Sequence, residues 1–218
     1  MQTSPPSQST AARAEAVLTR LRQRYPQVRS QLVWRSPWEL LVATVLAAQC
    51  TDTRVNAVTP VLFAKWPTIQ DLAQANSQDV EEVIRSTGLF RSKARNLTQT
   101  ARTLVDSYDS QVPNTMQDLL TLPGVARKTA NIVLSQGFEI HEGIAVDTHV
   151  KRLSFRLGLT RSQDPAKIER GLMPLFPRSA WGEINHLLVW FGREVCQARS
   201  PMCRECNLAD ICPREGVG

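Results

Sequence analysis

Residues Leu122–Leu134 read LPGVARKTANIVL. A leucine–proline–glycine turn leads into an apolar stretch with helical spacing, so the segment is the second arm of two helices joined by a tight reversal. Gly124 can adopt the left-handed conformation that such a reversal needs, and Pro123 removes an amide that could not be paired there. The short apolar run from Met116 to Leu120 supplies the first arm. Amides at the start of the second arm, around Ala126, point outward and can hold a phosphate whatever the base sequence. Lys128 is the anomaly. A cation in a first turn faces the positive end of the helix dipole, the wrong place for helix stability. It is surface charge, a second phosphate contact, or an amine placed to attack an electrophilic carbon. The positive helix end and partial burial would both assist that last role.

Helical punctuation continues in both directions. Ser36-Pro37, Thr51-Asp52, Ser77 and Asp164-Pro165 each offer a capping oxygen or a first-turn proline. Helices are expected at 12–25, 38–50, 53–65, 69–75, 78–87, 92–109, 116–120, 125–137, 148–157, 165–175 and 180–195. No sustained apolar–polar alternation marks a strand, so the fold class is all-α. The run LLVATVLAAQ, Leu40–Gln49, is apolar on every side and reads as a buried helix too short for a membrane span. It turns polar abruptly at QCTDTRVN, which is expected to face solvent or a ligand. The first residues, MQTSPPSQST, are polar and uncharged, and read as a disordered tail reaching to about residue 11.

The chain has 218 residues, 42% hydrophobic composition and a net charge of +6. These values describe a globular protein with a sizeable core and a preference for polyanions, most simply nucleic acid. No apolar run spans a membrane and no signal peptide opens the chain. Residence in the compartment of synthesis is expected.

Four of the five cysteines crowd into CQARSPMCRECNLADIC, as Cys196, Cys203, Cys206 and Cys212, with spacing C-x6-C-x2-C-x5-C. Disulfides are a poor reading without secretion. Four thiolates suit zinc or an iron–sulfur cluster, and a single CxxC flanked by lone cysteines favours the cluster. Cys50 stands apart and reads as a core thiol. In GIAVDTHVKRL, Asp147 sits where an apolar run meets a new helix. It can cap that helix, and the same carboxylate could steady a cationic sugar.

LPGVARKTANIVL, then AVDTHVKRL, then GREVCQARSPMCRECNLADIC, in that order, closely resemble the endonuclease III family of DNA repair glycosylase/lyases in the helix–hairpin–helix superfamily. ELLVATVLAAQCTDTRVN and STGLFRSKARNL also match family segments, so the resemblance covers nearly the whole chain after the tail. It implies two helical lobes with a DNA-binding cleft between them. A six-helix barrel containing the hairpin would span 30–140, and 12–29 with 141–218 would form a cluster lobe. It implies a [4Fe-4S] cluster on the four cysteines. Lys128 matches the family's catalytic lysine and Asp147 its catalytic aspartate. Gln49 and Leu89 match the pair that enters the duplex once a nucleotide has been extruded, although Leu89 also suits a core contact.

The implied partner is double-stranded DNA carrying a damaged base or an abasic site, bound by a monomer in the cytoplasm of a bacterium, at its nucleoid. The implied reaction is removal of oxidised pyrimidines followed by β-elimination. A pyrimidine-dimer glycosylase/lyase and a noncatalytic iron–sulfur DNA-binding module are the alternatives. Adenine glycosylases of the superfamily usually append a further domain after the cluster, and none is expected after Cys212, in keeping with a pyrimidine substrate. Two departures stand out. The loop between Cys196 and Cys203 carries Arg199 as a phosphate contact, but Ser200 and Met202 stand where relatives have bases. Arg91 and Lys93 could compensate for that loss. Ala126 stands where the family often has glycine, and is expected to be helical already.

Overall fold

The computed structural model describes residues 9–217. Eleven α-helices account for most of that span, and no strand occurs among the described residues. The chain divides into two compact units, one covering Ser30–Ile140 and the other formed by the chain ends, up to Arg29 and from His141 onward.

The end unit begins with α1 (Thr10–Arg24), whose first turn is closed by Ser9, its hydroxyl accepting from the Ala12 amide. The expected tail therefore ends earlier than residue 11: Thr10 and Ala11 are helical because Ser9 supplies the cap. Residues 1–8 of that tail lie outside the described residues. Ala14, Val17, Leu18 and Leu21 fall on one face at helical spacing and are buried. They meet α9 (Thr148–Arg156), α10 (Pro165–Leu172) and α11 (Trp181–Glu194) in one apolar core that includes Leu153, Leu188 and Phe191. Replacing one such leucine by alanine costs about 2–5 kcal/mol.

The middle unit carries α2 (Pro37–Leu46), α3 (Asp52–Lys65), α4 (Ile69–Gln74), α5 (Ser77–Ile84), α6 (Phe90–Ser107), α7 (Met116–Leu119) and α8 (Arg127–Ile132). Ser36 caps α2 with Pro37 in its first turn, and every residue from Leu40 to Leu46 is buried. The all-round apolar pattern thus marks the centre of this core. α4 is closed at its start by Thr68 and Asp71, each bonding the other's backbone amide.

Several boundaries differ from expectation. α2 stops at Leu46, because the chain turns through Ala47 and Ala48 and Gln49 takes a left-handed conformation, φ 53°. α5 is capped by Asn76, whose side chain reaches the Gln78 amide, and Ser77 is its first residue. α6 starts at Phe90, two residues early, because Gly88 (φ 66°) and Leu89 (φ 47°) reverse the chain ahead of it. α8 begins at Arg127 and from Val133 to Gly137 widens into a π-helical turn.

Candidate functional site

The hairpin is built from α7, the turn at Pro123–Gly124 and α8. Gly124 has φ +77°, and a Cβ there would come within 2.6 Å of the Asn96 side-chain nitrogen, so both conformation and space demand glycine. From α6, the Thr100 hydroxyl donates to the Pro123 carbonyl at 3.0 Å and fixes the turn. Ala126 takes an extended conformation (φ −92°, ψ 168°) as the residue preceding α8, and no side chain caps that helix. The expectation that Ala126 is helical is therefore corrected: it is the N-cap, and its φ carries no strain for an alanine.

Lys128 occupies the first turn of α8 and is exposed. The partial burial expected for it is not found, because α8 turns its second residue outward and buries Ala130 and Asn131 instead. What remains is a flexible amine beside uncapped backbone amides.

Asp147 caps α9, its Oδ1 accepting from the amides of His149 at 2.9 Å and Val150 at 2.8 Å. Both bonds use the same oxygen, so Oδ2 is not engaged by the cap. The approach to Asp147 is held from α11, where the buried Asn185 amide donates to the Ala145 carbonyl at 2.8 Å. Two turns along α9 the helix serves the cysteine loop. Arg152 donates to the carbonyls of Gly192 at 3.0 Å and Cys196 at 3.1 Å. Burial holds the Arg152 guanidinium below its ordinary range, partly offset by Cys196. Arg156, buried at 8% exposure, donates to the carbonyls of Gln197 and Ala198 at 2.7 and 2.8 Å and reaches the Cys196 sulfur at 3.5 Å. Gly192 makes this possible: a Cβ there would meet His149 Nδ1 at 2.7 Å and Arg152 Nη2 at 2.8 Å.

Cys196, Cys203, Cys206 and Cys212 all line one cavity of the end unit, with Phe191 and Arg156 also in its wall. It holds about 420 Å³ of space, part of it continuous with solvent. Among the described residues, no three His, Cys, Asp or Glu side chains converge on a point where one metal ion could sit. The Leu208 amide donates to the Cys206 sulfur at 3.4 Å. Burial pushes the Cys206 thiol up and the Cys212 thiol up to about 11. Arg199 is exposed in the loop, as are Ser200 and Met202.

Gln49 and Leu89 both belong to the middle unit and both are exposed, Leu89 at 56%. Each is a non-glycine residue at positive φ, 53° and 47°. For a large side chain that is an uncommon conformation, held by its surroundings. Leu89 is not the core contact it could have been. Arg91 is exposed, its guanidinium 5.6 Å from the centre of the Phe90 ring. Lys93 is not: at 4% exposure it is buried, and it cannot make the compensating DNA contact expected of it. Its ammonium donates to the carbonyls of Leu46 and Thr87, each at 2.8 Å. Burial holds it below the ordinary lysine range, partly offset by the neighbouring Cys50.

Sequence reading missed Lys93, Arg152, Arg156 and Asn185 as organising residues. A cation three residues after TGLF carries no sign of burial, and an arginine in an amphipathic helix reads as surface.

Comparison with known proteins gives a consistent set of likenesses. Residues 42–178 match the HhH-GPD superfamily of base excision DNA repair proteins. The endonuclease III of Synechocystis sp. is 51% identical over 205 residues, 94% of each chain. That of Bacillus subtilis is 41% identical over 203 residues, 93% of this chain and 92% of its own. A solved structure of a trapped endonuclease III–DNA covalent intermediate superposes with a TM-score of 0.89 at 42% identity, covering 94% of this chain and 96% of the other.

Proposed function

The chain belongs to the endonuclease III family within the HhH-GPD superfamily of base excision DNA repair proteins, and from that premise we propose how its residues carry out the repair reaction. It is a base excision repair DNA glycosylase and abasic-site lyase acting on duplex DNA. The target sugar is hidden in the duplex, so the damaged nucleotide must be extruded before any side chain can reach it. Leu89 separates the neighbouring bases as an apolar wedge, and the Gln49 amide faces the base left without a partner. The hairpin amides around Gly124 and Ala126 hold a backbone phosphate, with Arg199 as a further contact.

The Lys128 amine, as the free base, attacks C1′. A nitrogen–carbon bond forms, the glycosidic bond breaks, and the base departs with its bonding electrons and acquires a proton. The negative charge of Asp147 steadies the positive character that develops at C1′ and assists removal of the proton from the attacking nitrogen. Sugar-ring opening converts the adduct to a protonated imine. Loss of a C2′ proton then expels the 3′ phosphate oxygen, which breaks the strand, and water releases the lysine. The observation that carries this reading is an exposed lysine in the first turn of the hairpin's second helix, in a chain 42% identical to a protein trapped covalently on DNA.

Borohydride reduces the imine to a stable amine and so reports on the lysine directly. Wild type should cross-link to abasic duplex and Lys128→Gln should not; an adduct retained by the variant would remove Lys128 from its role. We assign oxidised pyrimidines as the substrate class. Release of thymine glycol without release of a pyrimidine dimer is the expected outcome, and the reverse would overturn the assignment.

The four cysteines fit a [4Fe-4S] cluster. All four line one cavity of the end unit, and a single CxxC flanked by lone cysteines suits one thiolate per iron better than the paired CxxC motifs common in structural zinc sites. The Arg156 guanidinium and the Leu208 amide add positive partners for thiolate charge. Cys196, Cys203, Cys206 and Cys212 would hold such a cluster, which would brace the Arg199 loop against the Cys206–Cys212 segment and supply no group to the bond-breaking steps. Brown protein with iron and acid-labile sulfide in equal amounts, about four of each per chain, is expected. Colourless protein with stoichiometric zinc would overturn it.

A further inference from the structure

Three features of the middle unit meet at one side chain. The first is the end of α2, where Leu46 leaves its carbonyl beyond the helical ladder and the chain then runs three residues to Gln49. The second is the 3-10 turn Arg85–Thr87, whose last carbonyl lies two residues before Leu89. The third is Lys93, whose ammonium donates to both carbonyls at 2.8 Å from a site that is 4% exposed. Local bonds then carry each anchor to its tip. On one side the Cys50 amide donates to Ala47 and the Ala48 amide to Val45. On the other, the Thr87 hydroxyl donates to Ile84, and the Leu89 carbonyl accepts from both the Ser92 hydroxyl and the Lys93 amide.

We propose that Lys93 is a positioning residue for nucleotide extrusion: its buried ammonium ties the turn bearing Gln49 to the turn bearing Leu89 and so fixes the separation at which both enter the duplex. The inference rests on the reading of Gln49 and Leu89 as that entering pair. A cation suits the position because both anchors are carbonyls, one at a helix C-terminus, where the dipole is negative. It also suits the strain. Two large side chains at positive φ hold their conformation only where the structure around them over-determines it, and a shared anchor does so for both at once. A methyl-ended side chain of equal length would leave two buried carbonyls unpaired and let the turns relax independently.

A lysine that served only stability would, on removal, weaken every activity alike. One that sets the spacing of the pair affects only substrates that must be extruded. The test compares β-elimination at an abasic site in duplex with the same site in a single strand, under single-turnover conditions, for the full-length protein. Lys93→Met should slow the duplex reaction about 10- to 100-fold and leave the single-strand reaction within about twofold, the scale of a displaced positioning group. In a Gln49→Ala/Leu89→Ala background the same substitution should add nothing further to the duplex loss. Equal losses on the two substrates, or additive losses in the combined variant, overturn the proposal.

Should the methionine variant not fold, Lys93→Arg decides. Its larger planar head keeps the charge but displaces the two carbonyls, so the ratio of duplex to single-strand rate must still fall; an unchanged ratio overturns the tie. If Gln49→Ala/Leu89→Ala alone leaves the duplex rate at the wild-type value, the entering-pair reading itself is lost and the tie with it. A duplex loss in that double variant combined with a wild-type ratio in Lys93→Met overturns the tie alone.

Discussion

Two helix starts, those of α8 and α9, carry the proposed catalytic pair and are built in opposite ways. At α9 the residue before the first turn, Asp147, closes the helix with its own carboxylate, which takes the His149 and Val150 amides. At α8 the residue in that place is Ala126, which has nothing to offer the amides, and the first turn carries cations, Arg127 and Lys128. One start is capped by a side chain and negative; the other has no side-chain cap and is positive. The contrast teaches that the same feature of secondary structure, the amides of a first helical turn, can be taken by the chain's own carboxylate or left without a side-chain cap, where the proposed phosphate contact would fall. It also explains the cation in the wrong place. Lys128 weakens α8 slightly as a helix, and in return stands beside a surface suited to a polyanion.

The largest effect should come from the open start. Lys128→Gln removes the nucleophile and should lower strand cleavage by roughly 10³-fold or more, the scale seen when a nucleophile is lost. Because Lys128 is exposed, stability should move by no more than about 0.5 kcal/mol. A chemical denaturation curve alongside the kinetics checks both halves. A variant that is inactive and also strongly destabilised would mean that the lysine is a structural part of the hairpin.

Asp147 is expected to behave differently because it has two tasks. Asparagine keeps the cap and removes the charge, whereas alanine removes both. Asp147→Asn should lower single-turnover base release about 10²- to 10³-fold with a nearly unchanged unfolding midpoint. Asp147→Ala should show a similar kinetic loss and in addition lose about 0.5–2 kcal/mol of stability. Equal stability of the two variants would show that the cap contributes nothing and would erase the contrast with α8.

How far the sequence announces this arrangement can be judged at the same two places. Asp147 at the junction of GIAV and a new helix is legible as a cap, and Pro123-Gly124 is legible as a turn, because both signals are local. The caps at Ser36, Thr51 and Asp164 are legible for the same reason. What failed were features decided at a distance. Nothing in AAQCT marks Gln49 as left-handed, since only glycine advertises that conformation. The burial of Lys93 depends on two carbonyls, one of them 47 residues away in sequence. The exposure of Lys128 depends on which face of α8 the core claims. The four cysteines stand out as a set by their spacing, but that they line one cavity, beside a loop held by Arg152 and Arg156, does not, because the periodicity of those arginines is that of an ordinary amphipathic helix.

Gly124 tests the hairpin itself. Alanine there would hold φ +77° against its preference, at about 1–2 kcal/mol, and its Cβ would press on the Asn96 side chain. Gly124→Ala should therefore lower both stability and DNA affinity. Adding Asn96→Ala should recover part of the stability, because the contact is with a side chain and not with backbone. No recovery would place the whole cost in the backbone conformation.

The smallest and most pointed change makes α8 start like α9. Ala126 already has the extended backbone of a capping residue, so serine can enter without rearrangement and its hydroxyl can accept from the open amides. Ala126→Ser should raise stability by about 0.5–1 kcal/mol, the ordinary value of such a cap. If those amides hold a phosphate, the hydroxyl competes with it, and affinity for undamaged duplex should fall by about threefold to tenfold while the unfolding midpoint rises. Stability and binding would then move in opposite directions through a single oxygen atom. A variant that gains stability and binds duplex as tightly as before would show that the open start is merely an unfinished helix, and the phosphate would have to be sought elsewhere on the hairpin.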